Sequence, residues 1–375
     1  MKKIKFAGFM VASFFVVSVS LGAAWTSKRL TFTAGETYNP VAAVDGTNVY
    51  AVWEDETSGI SDIFFKKSSD SGATWAAAKQ LTYTSGVTAS PDIAVDGSDI
   101  HVVWLDTTPG NREVYYKKSI DGGSTWQAAK RITNNTGGSV CPKIAVDGSK
   151  IYIVWYDSTP GNIEIFFVRS IDGGATWKTA HRLTNNAGGS YWPVIAVAGS
   201  NIYVAWYDDT PGNSEIFFRK STDGGATWQS SKKLTNNSGE SSYPAIGVYG
   251  SRIYVVWMDD TPGNNEIYLR KSADGGGTWQ TAKKLSNNAG DSEDPDISVI
   301  GSQIHVTWDD YTPGNWDIYF RQSGDGGTNW NAVQNITNNA AGSAWPRIAA
   351  TAAKIFIVYT DDTPGNSEVF LKISI

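Results

Sequence analysis

SIDGGATW, residues 170–177, decides the fold. It returns as SSDSGATW (68–75), SIDGGSTW (119–126), STDGGATW (221–228), SADGGGTW (272–279) and SGDGGTNW (323–330). Six copies of one phrase are a structural device rather than six catalytic centres. The terminal tryptophans Trp75, Trp126, Trp177, Trp228, Trp279 and Trp330 lie 51 residues apart. Two further series keep the same period and have seven members each. One is Trp53, Trp104, Trp155, Trp206, Trp257, Trp308 and Tyr359; the other is Pro40, Pro91, Pro142, Pro193, Pro244, Pro295 and Pro346. A repeat of this length, built from short strands and turns, indicates propeller blades rather than a helical solenoid.

One unit shows why. PKIAVDG (142–148) is a strand ending in an Asp-Gly turn, and KIYIVWYD (150–157) is a second strand, apolar on both faces. DSTPGN (157–162) is a turn, and EIFFVRS (164–170) a third strand. The Gly-rich phrase makes the next corner, and TWKTAHRLT (176–184) is expected to be a fourth strand. Strands apolar on both faces need cover on both, and neighbouring blades supply it. The chain stops at EVFLKISI (368–375), one strand short of a seventh blade. WTSKRLT (25–31) matches KTAHRLT (178–184), so residues 25–33 are expected to complete that blade and leave no open edge. Trp25 stands one position out of phase with the other phrase-ending tryptophans. The expectation is a single all-β domain over 25–375, a seven-bladed β-propeller of four-stranded blades.

The start, MKKIKFAGFMVASFFVVSVSLGAA, has a basic head, an apolar middle and small residues at its end. It reads as a secretory signal, residues 1–24, cut near Ala23 or Ala24, and places the protein outside the cell or on its surface. No other segment is apolar enough to span a bilayer. Losing Lys2, Lys3 and Lys5 makes the formal charge of −6 three units more negative. An acidic chain with scattered Lys and Arg is unsuited to nucleic acid. A single cysteine, Cys141, rules out an internal disulfide, and the three histidines His101, His181 and His305 have no metal-ligand spacing. No cofactor is expected.

Ser-x-Asp-Gly-Gly-x-Thr-Trp resembles the Asp-box, or bacterial neuraminidase repeat, of sialidase-like propellers. The resemblance runs through the whole chain from residue 25. It implies that Asp70, Asp121, Asp172, Asp223, Asp274 and Asp325 fix the turn between third and fourth strands, on the face opposite an active site. A sialidase would also need three convergent arginines, a Tyr–Glu pair, an Asp acid/base and a Phe/Tyr-Arg-Ile-Pro motif. The nearest string, Trp345-Pro346-Arg347-Ile348, has another order, and the relevant face carries few arginines beyond Arg112 and Arg347. Sialidases of this type have six blades. The resemblance therefore implies the fold and not the chemistry.

Two acids recur in every blade. Asp55, Asp106, Asp157, Asp208, Asp259, Asp310 and Asp361 follow the second strand; Asp62, Glu113, Glu164, Glu215, Glu266, Asp317 and Glu368 come seven residues later. Turn chemistry is the favoured reading. A calcium ion in each blade is the other, disfavoured because no dense Asp-x-Asp-x-Asp loop is present. The residue before each proline varies instead: Asn39, Ser90, Cys141, Trp192, Tyr243, Asp294 and Trp345. It begins the innermost strand at the channel mouth. Asn39, Trp192, Tyr243, Asp294 and Trp345, with Tyr156 and Tyr207 from a second variable column, are the candidate ligand-binding residues. Aromatic faces suit sugar C–H faces, and Asp and Asn suit hydroxyls; the competing reading is that these residues plug the channel. A secreted, monomeric binding or scaffold propeller is expected, with a glycan as first-choice ligand and an extracellular protein as second. The alternatives are a glycoside hydrolase, for which Asp294 and the Asp309-Asp310 pair are the available acids, and an assembly-factor propeller, which would need a basic patch.

Overall fold

A computed structural model describes residues 24–375. The expected leader, 1–24, lies outside the described residues except for its last. Seven four-stranded antiparallel sheets form a closed ring, and no helix long and apolar enough to cross a membrane occurs among the described residues. Blades 1 to 6 run from an inner to an outer strand in chain order. Blade 4 is representative: Ser190–Ala198, Asn201–Asp208, Glu215–Ser221 and Lys232–Lys233. The inner strands of successive blades touch in sequence around the ring, from Thr37–Asp45 of blade 1 to Ser343–Ala350 of blade 7 and back.

The fourth strands are shorter than the sequence suggests. In blade 3 only His181–Arg182 pair as a strand; in 176–180, Lys178 N–H still bonds the Arg169 carbonyl. Blade 7 differs. Its outer strand is Trp25–Arg29, five residues, paired from Trp25↔Ser374 to Arg29↔Phe370. Leu30 N–H adds a bond to the Val369 carbonyl at 2.8 Å. Ring closure thus rests on the longest outer-strand pairing in the molecule.

The core lies between blades. Tyr152, Val154, Ile165 and Phe167 of blade 3 pack on Ile202, Val204 and Trp206 of blade 4 as one cluster, and the pattern recurs around the ring. This is the two-sided cover that the apolar second strands require.

The Asp-boxes hold the bottom corners. Ser170 Oγ donates to Asp172 Oδ1 (2.7 Å) and accepts from Gly174 N–H (2.9 Å); Thr176 N–H bonds the same carboxylate oxygen at 2.9 Å. Gly173 N–H reaches the Ser149 carbonyl in the turn between first and second strands. Gly174 has φ +83, and a Cβ there would meet the Tyr116 hydroxyl of blade 2 at 2.7 Å. Trp177 packs edge-on against the same Tyr116, 5.1 Å between ring centroids. The box aspartates accept these turn hydrogen bonds with their side chains in solvent, while the serine beneath is buried.

Candidate functional site

The opposite face is assembled by the recurring acids. Asn186, in the linker from blade 3 to blade 4, donates its N–H to Glu164 Oε1 of blade 3 (3.2 Å) and its side-chain amide to Asp208 Oδ2 of blade 4 (2.6 Å). Asp208 also accepts from Ser190 Oγ (2.7 Å), Trp206 Nε1 (3.3 Å) and Thr210 N–H (3.0 Å). Asn135, Asn237, Asn288 and Asn339 repeat the clip between their own pairs of blades. Both oxygens of these aspartates are therefore occupied by turn and linker donors. Glu113, Glu164, Glu215 and Glu368 each keep one buried oxygen without a partner, far from the roughly six to eight ligands that calcium takes. No group of three or more His, Cys, Asp or Glu among the described residues is placed to hold a metal ion.

Each inner strand carries a bulge where the variable residues stand. In blade 4 the pairing jumps from Tyr191↔Tyr207 to Val194↔Ala205, so Trp192 and Pro193 together oppose Trp206. Pro193 lacks the N–H that a ladder would need, which suits a bulge. Asn39, Ser90, Cys141, Trp192, Tyr243, Asp294 and Trp345 all have positive φ, between 46° and 53°. A left-handed conformation at a bulky residue is costly and persists only where the surroundings impose it. Here the bulge turns seven side chains toward the channel mouth.

The ring brings some of these together. Trp192 lies 5.0 Å from Tyr243, 5.5 Å from Tyr156 and 6.2 Å from Tyr207, nearly parallel to the last. Tyr191, unremarked in the sequence, stacks on Tyr207 at 5.3 Å. All five rings are half-buried. Trp345 stands apart, edge-on to Tyr38 at 5.8 Å. Asn39 is tied down: its amide donates to Glu54 Oε1 (2.7 Å), which also accepts Ser90 N–H (2.7 Å).

Blade 6 supplies the acids. Burial and then the charge of Asp294 push the Asp309 carboxyl well above its ordinary range. Asp309 Oδ2 accepts Trp345 N–H (3.1 Å), while its Oδ1 is buried without a partner. Burial also raises Asp294, against the pull of Arg347. The two acids are neighbours at the bulge, since Asp309 pairs with Glu293, the residue before Asp294, whereas Asp310 is consumed by Ser292, Asn288 and Trp308.

Below the rim the channel holds a cavity of ≈ 230 Å³, and nearer the mouth one of ≈ 80 Å³; Trp192, Lys143 and Arg347 border both. The residue after each proline lines this space, a column the sequence reading passed over. Lys143 Nζ approaches Asp92 Oδ1 at 3.7 Å, and Arg347 stands beside Asp296 in the equivalent place across the ring. Asp92 and Asp296 each also accept an N–H from the next blade, Ile144 at 2.8 Å and Ile348 at 2.7 Å. The signal was available: Val41, Asp92, Lys143, Val194, Ala245, Asp296 and Arg347 differ among otherwise matching blades.

A closed ring of four-stranded blades, cornered by Ser–Asp boxes and opening on a variable mouth, defines a propeller of the bacterial neuraminidase repeat type. The BNR repeat-like domain matches residues 97–306, more than half of the chain, and the chain belongs to that family. No curated protein matches it in sequence. Among solved structures it is similar to an α-L-arabinofuranosidase from Fusarium graminearum in complex with arabinobiose (TM-score 0.55, 14% identity, covering 76% of this chain and 92% of that one). It is also similar to the NanB sialidase from Streptococcus pneumoniae (0.51, 14%, 92% and 70%) and to the Trypanosoma rangeli sialidase in complex with the inhibitor DANA (0.52, 14%, 80% and 56%). At these identities the likeness is one of fold.

Proposed function

We propose that this chain is a glycan-recognising propeller, exported by its leader and working outside the cell or on its surface, with the ligand seated at the channel mouth opposite the Asp-boxes. The observation that carries the reading is the half-buried cluster of Trp192, Tyr243, Tyr207 and Tyr156 beside Asp294. Apolar ring faces bordered by a few placed polar groups are the usual make-up of a sugar site. The Fusarium and trypanosomal neighbours were solved with a sugar or an inhibitor bound, which is consistent with this use of the fold.

Glycan-array binding of the mature protein, repeated with Trp192→Ala, tests the proposal. Binding that falls in the variant supports it; absence of binding on the array rejects it. Glycoside hydrolysis is the second reading, favoured by the neighbouring Asp294 and Asp309 carboxyls. Turnover of chromogenic glycosides that Asp309→Asn abolishes would put it first.

A further inference from the structure

The acid side of the mouth lacks donors. Of the four oxygens of Asp294 and Asp309, only Asp309 Oδ2 receives a hydrogen bond among the described residues. Asp309 is 3% exposed, and its free Oδ1 is buried. A carboxylate oxygen out of water without a donor is costly. The other acids nearby are satisfied. Glu54 holds Asn39 and Ser90, and Glu293 accepts Asn265 Nδ2 at 2.6 Å. Of the bases, Lys143 faces Asp92 at 3.7 Å, and Arg347, with an Nη1 bond to the Pro346 carbonyl, lies near Asp296, Asp294 and Asp309 alike. Asp92, Asp294 and Asp296 border the larger cavity with only Lys143 and Arg347, so acids outnumber bases there.

The aromatic wall adjoins it. In ring order Asp294 stands between Tyr243 and Trp345, and Trp192 precedes Tyr243. Trp192, Tyr243 and Asp294 border one cavity, which puts rings and acid together. Ring faces attract cations through their quadrupole, and a desolvated site strengthens the effect. An ammonium group offers three N–H donors and a full positive charge, matching both what the carboxylates lack and what the rings attract.

We infer that the mouth selects glycans bearing a free amine, with Asp294 receiving the ammonium and Asp309 close behind it, while Trp192 and Tyr243 carry the sugar face. This rests on the glycan reading and narrows its substrate class.

The test is calorimetric titration of the mature protein with a β-1,4-linked glucosamine hexamer and with its fully N-acetylated twin, amines protonated. The two differ in charge and keep the same sugar backbone. The free-amine hexamer is expected to bind about tenfold tighter or more, with the advantage shrinking in added salt. Asp294→Asn, and independently Asp309→Asn, should bring its affinity down toward that of the acetylated twin, with folding checked by melting temperature. Equal affinity for the two hexamers overturns the inference and leaves the glycan reading standing. An amine preference untouched by both substitutions also overturns it. Binding of neither hexamer, as when the two acids simply share a proton above a plugged channel, overturns it together with the assignment to this mouth.

Discussion

Trp25 packs edge-on against Phe320, with 5.0 Å between centroids and 76° between planes. Trp177 on Tyr116 and Trp228 on Phe167 have the same arrangement, at 5.1 Å and 74° and at 5.0 Å and 75°. The seventh blade has no Asp-box, yet the N-terminal strand delivers a tryptophan to the place a box tryptophan would fill. Its displacement by one residue from the period is absorbed by the absence of a box turn. Trp25 Nε1 also reaches Gln334 Oε1 at 3.2 Å.

Closure should therefore depend on this strand. Trp25→Ala is expected to cost about 2 kcal/mol from lost burial and ring contact, read as a lowered Tm. Deleting residues 25–29 should do more, exposing the edge of Glu368–Ser374 and promoting association visible in light scattering. A truncated chain with unchanged Tm would contradict the closing role.

The buried serine of the box should matter to stability as its exposed aspartate does to turn geometry. Ser170→Ala removes a donor to Asp172 and an acceptor for Gly174 N–H, and is expected to cost about 1–3 kcal/mol in denaturant unfolding. Ligand affinity in the folded fraction should not change, because the box lies on the far face.

The boxes also set a response to acid. Hydrogen bonds from the box Thr hydroxyl and amide lower Asp70 and Asp121 from 3.8 to about 2. A group lowered on folding contributes stability that is complete above its unfolded value and lost as pH falls through its folded one. Stability should decline from roughly pH 4 toward pH 2. Asp309 has the opposite sign. Raised by burial and by Asp294, it penalises folding once pH exceeds its unfolded value. Asp309→Asn should thus raise Tm at neutral pH, with the difference vanishing in acid; a Tm shift independent of pH would show another cause.

The interblade clip predicts a local effect. Asn186→Ala removes the 2.6 Å bond to Asp208 that fastens the linker to blade 4. A cost of about 1–3 kcal/mol is expected, with faster amide exchange in the 185–189 linker. Unchanged exchange there would mean the clip is dispensable.

At the mouth, Trp192→Ala should lower affinity for an identified glycan about ten- to a hundredfold, while Trp345→Ala has the smaller effect because its ring leans on Tyr38 outside the cluster. A large loss of Tm in Trp192→Ala would mark the ring as a channel plug.

The blade count, the strand identities and the closure were legible in the sequence, because each is a local signal repeated at a fixed interval. Apolar runs, Pro-Gly turns and the Ser-Asp-Gly-Gly phrase depend on neighbours a few residues away, and six or seven copies average out the ambiguity of any one. The same comparison marked the pre-proline column as variable and so singled out Trp192, Tyr243 and Asp294 as candidates. It did not show that all seven residues of that column are left-handed, since nothing local in Trp-Pro or Tyr-Pro demands it; the two-against-one pairing of a bulge does. Nor could it separate Trp345 from the aromatic cluster, draw Tyr191 into it, bind Asn39 to Glu54, or set Asp309 beside Asp294. Those relations join residues of different strands and different blades, so they arise only when the ring closes and the inner strands converge on one axis. The sequence determined what each blade is; the tertiary structure decided which side chains meet where seven nearly equal blades become unequal.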